Sequence, residues 1–486
     1  MKNIKHIVSI VAIFLFIGCE NFETDLEVQN SENPDTATLT TDVSALEALS
    51  TTVIFNWWNA NHQYSNLGIA LTTMSDAATC SWGNAGMRDL SSQPRVAYNN
   101  QASYGNAGFN ETFFNAIYSI LNDSNTLIQA VNNGTAFEDP KRIEAIGRFG
   151  QALSVGYAAL VYDQAWLSDE NGALNNGNPV DYKDAMVFAL EKLDLAISIA
   201  EANNFDLAAN TIPGQTYNSV DLASFMNSMG ARMLTMNARN TTERDAINWT
   251  KVLGYANKGI SRDFEVTTNA DTIWDDYKWV LCQFGWARTD MYAINLMDPN
   301  TPSVWPSGTV TIAESTSADA RLLSDYEYLT SQDFNPARGD YHYSSYRYKR
   351  YDFFLATEAE SMPDYTVSEN DMYKAEAMLR TSDLTGAATV LNMGTRKTRG
   401  NLPDVSSTDA IAIANAIHYE RIIEFPLTGM ALPFFEMRKE GLLQKGTFLH
   451  YPVPGKSLNA VPLPVYTFGG TTGTPDIDYS NGGWEI

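Results

Sequence analysis

The stretch ENDMYKAEAMLRTSDLTGAATVLNMGTRKTRGNLP, residues 369–403, decides how the rest of the chain is read. Met372, Ala375, Met378 and Leu379 recur at the three- and four-residue spacing that gathers apolar side chains on one helical face. Ser368 followed by Asp371 has the form of a capping box and predicts that this helix opens at Ser368 and runs to residue 381. A second apolar stretch ends at Leu391 and Asn392, before a basic turn that carries Arg396 and Arg399. Short helices draw most of their stability from packing an apolar stripe against neighbours, so this pair predicts more helices around it.

Working outward, the chain supplies them in two blocks, 111–260 and 368–441. In ETFFNAIYSILNDSNTLIQAV, residues 111–131, Phe113, Phe114, Ile117, Ile120, Leu121, Leu127, Ile128 and Val131 fall near one face. Pro140 suits a first helical turn. It opens KRIEAIGRFGQALSVGYAALVY, residues 141–162, where Gly147, Gly150, Ala152, Gly156 and Ala159 let a neighbouring helix come close. These two read as an antiparallel pair. Further helices are expected at 184–202, 219–239 and 244–259. Prolines, glycines and aromatics replace helical spacing at 75–110 and 262–365, and excursions of that length inside a compact protein are usually functional. No clean repeat period is present.

At Tyr373, Ala375, Glu376, Ala377 and Arg380, then Leu391, Asn392, Arg396 and Arg399, the chain resembles the SusD/RagB family of Bacteroidetes outer-membrane nutrient-binding lipoproteins. HYERIIEF (418–425), FFNAIYSILNDSN (113–125) and YPVPGKSLN (451–459) extend the resemblance over almost the whole chain. Thr428 stands where the family has glutamate before Gly429, ALPFFEMRKEG (431–441) only approximates the family's Arg-x-x-Asp-x-x-Arg helix, and the closing Gln-Asn-Pro-Gly-Tyr is absent. The resemblance implies a mainly α, SusD-like fold in which tetratricopeptide-like helix pairs support an irregular, loop-rich ligand-binding region. Glu376, Glu420 and Glu424, with Arg380, Arg396, Arg421 and Arg438, are expected to form structural ion pairs between helices.

The amino terminus carries its own message. Lys2, Lys5 and His6 precede an apolar run, Ile7 to Ile17, too short to cross a bilayer. This is the pattern of a secretory signal over residues 1–18. FIGCENFETDLE (16–27) resembles a bacterial lipobox that would make Cys19 the acylated first residue. Glu20, Glu23, Asp25 and Glu27 resemble the surface-export signal of Bacteroidetes lipoproteins, though a solvated tether over 19–45 has the same composition. Residues 46–486 are expected to form one domain. Loss of Lys2 and Lys5 takes the formal charge from -25 to -27, which excludes nucleic acid as a partner. Besides Cys19 only Cys80 and Cys282 remain, to be joined as a disulfide or kept as two buried thiols.

Motifs for catalysis and cofactor binding are missing: there is no H-E-x-x-H, G-x-S-x-G, P-loop or dinucleotide fingerprint. No cofactor, metal or catalytic residue is expected. Asp275 with Asp276 and Glu358 with Glu360 are the nominal glycosidase pairs, and neighbours in sequence seldom face one reacting atom. Aromatic residues say more. Trp82 lies in the first loop region, and Trp274, Trp279, Trp286 and Trp305, with Tyr341, Tyr343, Tyr346 and Tyr348, crowd the second. A sugar ring has an apolar C–H face and a rim of hydroxyls, so it takes flat aromatic surface beside planar polar groups. Asp76, Asn84, Arg88 and Arg95 offer those near Trp82; Arg288 and Asp290 do so near Trp286. Paired thiols would bring both loop regions together, so the expected ligand site is Asp76, Trp82, Arg88, Trp279, Trp286 and Trp305. The function expected from the resemblance is non-covalent capture of oligosaccharide at the outer-membrane surface, with delivery to a SusC-type TonB-dependent transporter. The membrane would be met through the lipid anchor only. A peptide ligand, a protein-binding helical scaffold and a hydrolase are the alternatives.

Overall fold

The structure is a computed structural model and describes residues 42–80, 83–306, 312–330, 343–472, 474 and 478–484. Cys19, Trp82, Tyr341 and the side chain of Asn84 lie outside the described residues. The first helix, Val43–His62, begins where Asp42 accepts the N–H groups of Ser44 and Ala45, and so takes in residues 43–45 assigned above to a tether. Trp57 on this helix sits among Tyr157, Phe225 and Phe264, with ring centroids 5.4, 6.1 and 6.3 Å away. Those rings join the first block into one core.

The expected antiparallel pair is Ala107–Asn132 and Pro140–Val161, with Asp139 capping the second helix ahead of Pro140. Its glycines have partners to make room for. A Cβ built on Gly147 would stand 2.8 Å from Ile128 Cδ1, and one on Gly156 would stand 2.3 Å from Met233 Sδ. Tyr182–Ala202 and Ser219–Met236 pack on in succession. The helix expected at 244–259 is two, Thr241–Asp245 and Trp249–Asn257, because Asn248 accepts the N–H of Lys251 and restarts the turn.

In the second block, Thr366 and not Ser368 caps the helix Val367–Arg380, accepting the N–H of Glu369 at 3.1 Å. Leu384–Met393 follows, capped by Asp383, then Ala410–Glu424 and Leu432–Lys439. Met372, Ala375, Ala387, Leu391, Ile413 and Ile417 form a small core of their own. Val367–Arg380 also packs on Trp249–Asn257, which ties the blocks together.

Most of the expected ion pairs are present. Glu376 meets Arg421, Lys439 and Arg380; Glu420 meets Arg321; Glu424 meets Arg321, Arg350 and Arg399. Arg438 departs from the expectation by donating to the carbonyls of Leu160, Leu449 and Met236. Arg396 departs as well, with no carboxylate in reach among the described residues.

The two loop-rich regions do converge. Strand Ala78–Cys80 pairs antiparallel with Ala287–Thr289, Cys80 opposite Ala287. The link is a backbone ladder and not a disulfide: Cys80 and Cys282 are both buried thiols. Burial pushes the Cys282 thiol well above its ordinary value, which keeps it from the thiolate form that oxidation needs. Two more short ladders brace the second region, Phe264–Thr267 with Ser361–Tyr365 and Tyr326–Tyr328 with Tyr346–Tyr348. Among the described residues no helix is long and apolar enough to cross a membrane.

Candidate functional site

The second loop region turns on a short helix, Asp276–Cys282, whose cap is Asp275 accepting the N–H of Lys278 at 3.0 Å. Trp274 precedes it, Trp279 rides on it and Trp286 leads into strand Ala287–Thr289. All three indoles are half-buried. Trp279 and Trp286 lie 5.5 Å apart at 56°, and Trp274 and Trp279 lie 6.4 Å apart at 84°. Trp279 Nε1 donates to Glu358 Oε1 at 2.8 Å, and Trp286 Nε1 donates to the Val280 carbonyl at 3.2 Å. Trp279 and Trp286 are thereby tethered through their own N–H groups while remaining partly exposed.

Two exposed phenylalanines belong to the neighbouring segments, Phe284 two residues before Trp286 and Phe353 on helix Asp352–Thr357, which packs on Asp276–Cys282; they are 54% and 49% exposed. They are joined through Arg347. Its guanidinium lies 4.1 Å from the Phe284 ring centroid and donates to both carboxylate oxygens of Asp352, the neighbour of Phe353. Trp305 belongs to a separate contact, 4.9 Å from the Tyr343 ring, and Tyr343 bridges to Asp290 just past the same strand.

Beneath the indoles lies a buried chain of charge. His62, the last residue of the first helix, reaches Asp364 at 2.8 Å through Nε2 and Asp275 at 3.1 Å through Nδ1. Lys278 Nζ reaches Asp275 at 2.7 Å. Asp364 also accepts from Arg232 at 3.2 Å, and Arg232 forks onto Glu369 at 2.8 Å through both Nε and Nη2. Burial is the largest influence on His62 and opposes its charge, but the Asp275 carboxylate and the hydrogen bonds to Asp275 and Asp364 together outweigh it, and the net shift of His62 is upward. Burial likewise opposes a charged Asp275, yet His62 and Lys278 hold its carboxyl well below the usual range. The indole-bearing helix is thus pinned to the frame by ions and not by apolar contact alone.

Of the expected site residues, Trp279 and Trp286 stand together, Trp305 stands apart from them, and Arg88 is exposed on the short helix Met87–Leu90. Asp76 is not available to a ligand. It is buried against Arg95 at 3.0 Å and accepts from Trp484 Nε1 at 3.3 Å. A loop arginine and a loop aspartate satisfied each other and left the surface. Asp290 and Arg288 are buried too, Asp290 accepting from Thr79 Oγ1 at 2.8 Å and Arg288 donating to the Ala287 carbonyl at 2.7 Å.

The nominal acid pairs hold local structure. Asp275 and Asp276 cap and anchor, the latter accepting the N–H of Tyr64, while Glu358 holds Trp279 and Glu360 accepts from Thr357 Oγ1. Sequence reasoning passed over Phe284, Phe353 and His62. The apolar Phe284 beside Gly285, in a segment without helical spacing, was the available signal for the exposed flank.

No family model matches the chain, and no curated protein matches it. Solved structures do. A SusD superfamily protein from Parabacteroides distasonis superposes with TM-score 0.60 at 12% identity, covering 86% of this chain and 97% of its own. Surface glycan-binding protein A from Bacteroides uniformis gives 0.55 at 12%, over 86% and 98%. A SusD-like carbohydrate-binding protein from Bacteroides fragilis gives 0.55 at 13%, over 92% and 95%. At such identities the likeness is one of fold, and the fold of this chain is SusD-like and mainly α.

Proposed function

We propose that this SusD-like chain is a divergent SusD-family lipoprotein, anchored through Cys19 at the outer-membrane surface, that binds oligosaccharide non-covalently and passes it to a SusC-type TonB-dependent transporter. One observation carries the binding reading. Trp279 and Trp286 are half-buried, lie 5.5 Å apart and are hydrogen-bonded through their N–H groups, with the exposed Phe284 and Phe353 on neighbouring segments. Flat rings whose planes are fixed before a ligand arrives suit the C–H faces of sugars, because little ordering entropy is left to lose on binding. Support for the class of ligand comes from the similar structures, two of which are named for glycan or carbohydrate binding.

The mechanism involves no bond cleavage. Sugar rings settle on the indoles, and the loaded protein closes over the transporter. The experiment is a glycan array set beside a peptide pool, followed by titration calorimetry of wild type and Trp286→Ala. A stacking ring contributes about 0.5–1.5 kcal/mol beyond its buried area. Removing it should therefore weaken glycan binding about tenfold, at 1.4 kcal/mol per decade. Peptide binding without glycan binding refutes the reading in favour of a peptide-uptake lipoprotein. Palmitate labelling that fails in Cys19→Ala tests the anchor, and co-purification with a transporter barrel from membranes tests the partner.

A further inference from the structure

Among the described residues, the arginines around the second block end on oxygen, apart from the half-buried Arg396. Arg321 donates to Asp319, Glu420 and Glu424, Arg399 to Asp325 and Glu424, Arg421 to Glu376 and Glu436, and Arg438 to three carbonyls. Arg396 has no such partner. Its Nε is buried without an acceptor, as are those of Arg421 and Arg438, but these two hold oxygens through their Nη groups, whereas among the described residues no carboxylate stands within ion-pair distance of Arg396. A buried N–H without an acceptor is costly, and native structures seldom keep one without a reason.

Arg396 lines a cavity of about 420 Å³. Leu296, Met297, Leu402 and Ala416 give it apolar wall, and Asn415 gives it a neutral amide. Tyr419 also lines it, with a hydroxyl already committed to Asp319 at 2.7 Å. No carboxylate belongs to the lining. In a chain of formal charge -25, a pocket with one cation and no anion runs against the background.

The turn holds Arg396 in place from both sides. Thr395 Oγ1 donates to Glu420 at 2.9 Å, and the Arg396 carbonyl accepts the N–H of Leu402 at 3.1 Å. Gly400 closes the turn so tightly that a Cβ there would stand 2.8 Å from the Arg396 carbonyl and 2.9 Å from Arg321 Nη2. The backbone is fixed, the Nε–H has no acceptor, and the half-buried side chain lines the cavity.

We propose that this cavity is a second binding site, distinct from the indole platform, for a ligand that carries a carboxylate beside an apolar face. The side-on edge of a guanidinium, Nε–H with one Nη–H, matches the two oxygens of a carboxylate. The apolar wall takes the rest of the molecule. A uronic acid and the free end of a short peptide both present this chemistry, and the test separates them.

The test is titration calorimetry of the full mature chain at low ionic strength with two matched pairs, glucuronate against glucose and N-acetyl-leucine against its amide. One acid should bind at least tenfold tighter than its neutral partner, and that acid names the source. Added salt should weaken it. Arg396→Gln should abolish the preference. Ala318→Phe, at an exposed position of the lining, should block the cavity without touching the core. Both variants should keep the wild-type Tm and any glycan binding at Trp286, so failure here is separable from failure of the glycan reading. Equal binding of acid and neutral partner, no binding of either acid, or an acid preference that survives Arg396→Gln overturns the proposal.

Discussion

His62 offers the sharpest test of how the indole helix is held. His62→Ala removes a group that bridges Asp275 and Asp364, at 3.1 and 2.8 Å, with none of the three side chains exposed. Asp275 keeps Lys278 at 2.7 Å and Asp364 keeps Arg232 at 3.2 Å, so neither carboxylate is wholly abandoned. Breaking a buried pair from one side costs about 3–5 kcal/mol. With an unfolding entropy of about 2.1 cal/mol/K per residue, 486 residues give roughly 1 kcal/mol/K, so the Tm should fall by about 3–5 °C.

The pH dependence follows from the directions of the shifts. A histidine raised above 6.5 in the folded state lends its full stabilisation below that value and loses it as pH climbs through the raised pKa. Asp275 and Asp364, both lowered, lend theirs above the ordinary 3.8 and lose it as pH falls through the depressed values. The Tm gap between wild type and His62→Ala is therefore widest between about pH 3.8 and 6.5 and narrows on the alkaline side. Differential scanning fluorimetry across pH reads the gap, and hydrogen exchange in 276–282 reads whether the indole helix loosens with it. A gap under about 1 °C near pH 5, or one that stays constant into the alkaline range, would refute the argument.

Other perturbations separate packing from charge. Gly150→Ala would put a Cβ 2.1 Å from Ser124 Oγ and 2.5 Å from Val53 Cγ1. Overpacking of about 1–3 kcal/mol then outweighs a helical gain of about 0.5–1 kcal/mol, and the urea midpoint should fall. Gly254→Ala, in helix Trp249–Asn257 with nothing within 4 Å, should instead raise the midpoint by the helical gain alone. Burial pushes the Asp163 carboxyl up to about 6 against the hydroxyl that Tyr466 donates to it. The unfavourable charge grows as pH rises from 3.8 through about 6, so Asp163→Asn should stabilise the protein at pH 8, by about 1 kcal/mol, and not at pH 4.

Helical spacing made the frame legible because glycine and alanine on a helix face have one common reason to be there. The reasons are visible at Gly147 against Ile128 and Gly156 against Met233. Spacing did not locate the start of the 367–380 helix, since Thr366 and Ser368 offer the same hydroxyl. A distant residue decides between them: Asp263 accepts the N–H of Val367 at 2.7 Å, which places that residue inside the first turn. The helix Val43–His62 escaped notice because it buries Ser50, Asn61 and His62 along with its apolar residues, which blurs the stripe. At the site, the crowding of tryptophans was readable, whereas the meeting of the two loop regions was expected only through a disulfide that does not form. The actual link was not readable, because backbone ladders leave less trace in sequence than cysteines. Asp76 misled for a related reason. An arginine and an aspartate in a loop have one composition whether they face a ligand or each other.

The division of labour inside the molecule separates what holds the fold from what the surface presents. Apolar burial is non-directional and tolerates exchange of one hydrophobic residue for another. Under the proposed function, stacking on a sugar face depends on the plane of the ring, so the indole helix would need a constraint with direction. The chain Lys278, Asp275, His62, Asp364, Arg232 and Glu369 supplies it, running from the indole helix through the end of the first helix into both helical blocks. Changes at Phe284 or Phe353 alter what the surface presents and leave this chain intact. Changes within it lower stability and disturb the ring planes together. Substitutions at the rim should thus shift ligand preference at constant Tm, whereas substitutions in the buried ions should move affinity and Tm in step.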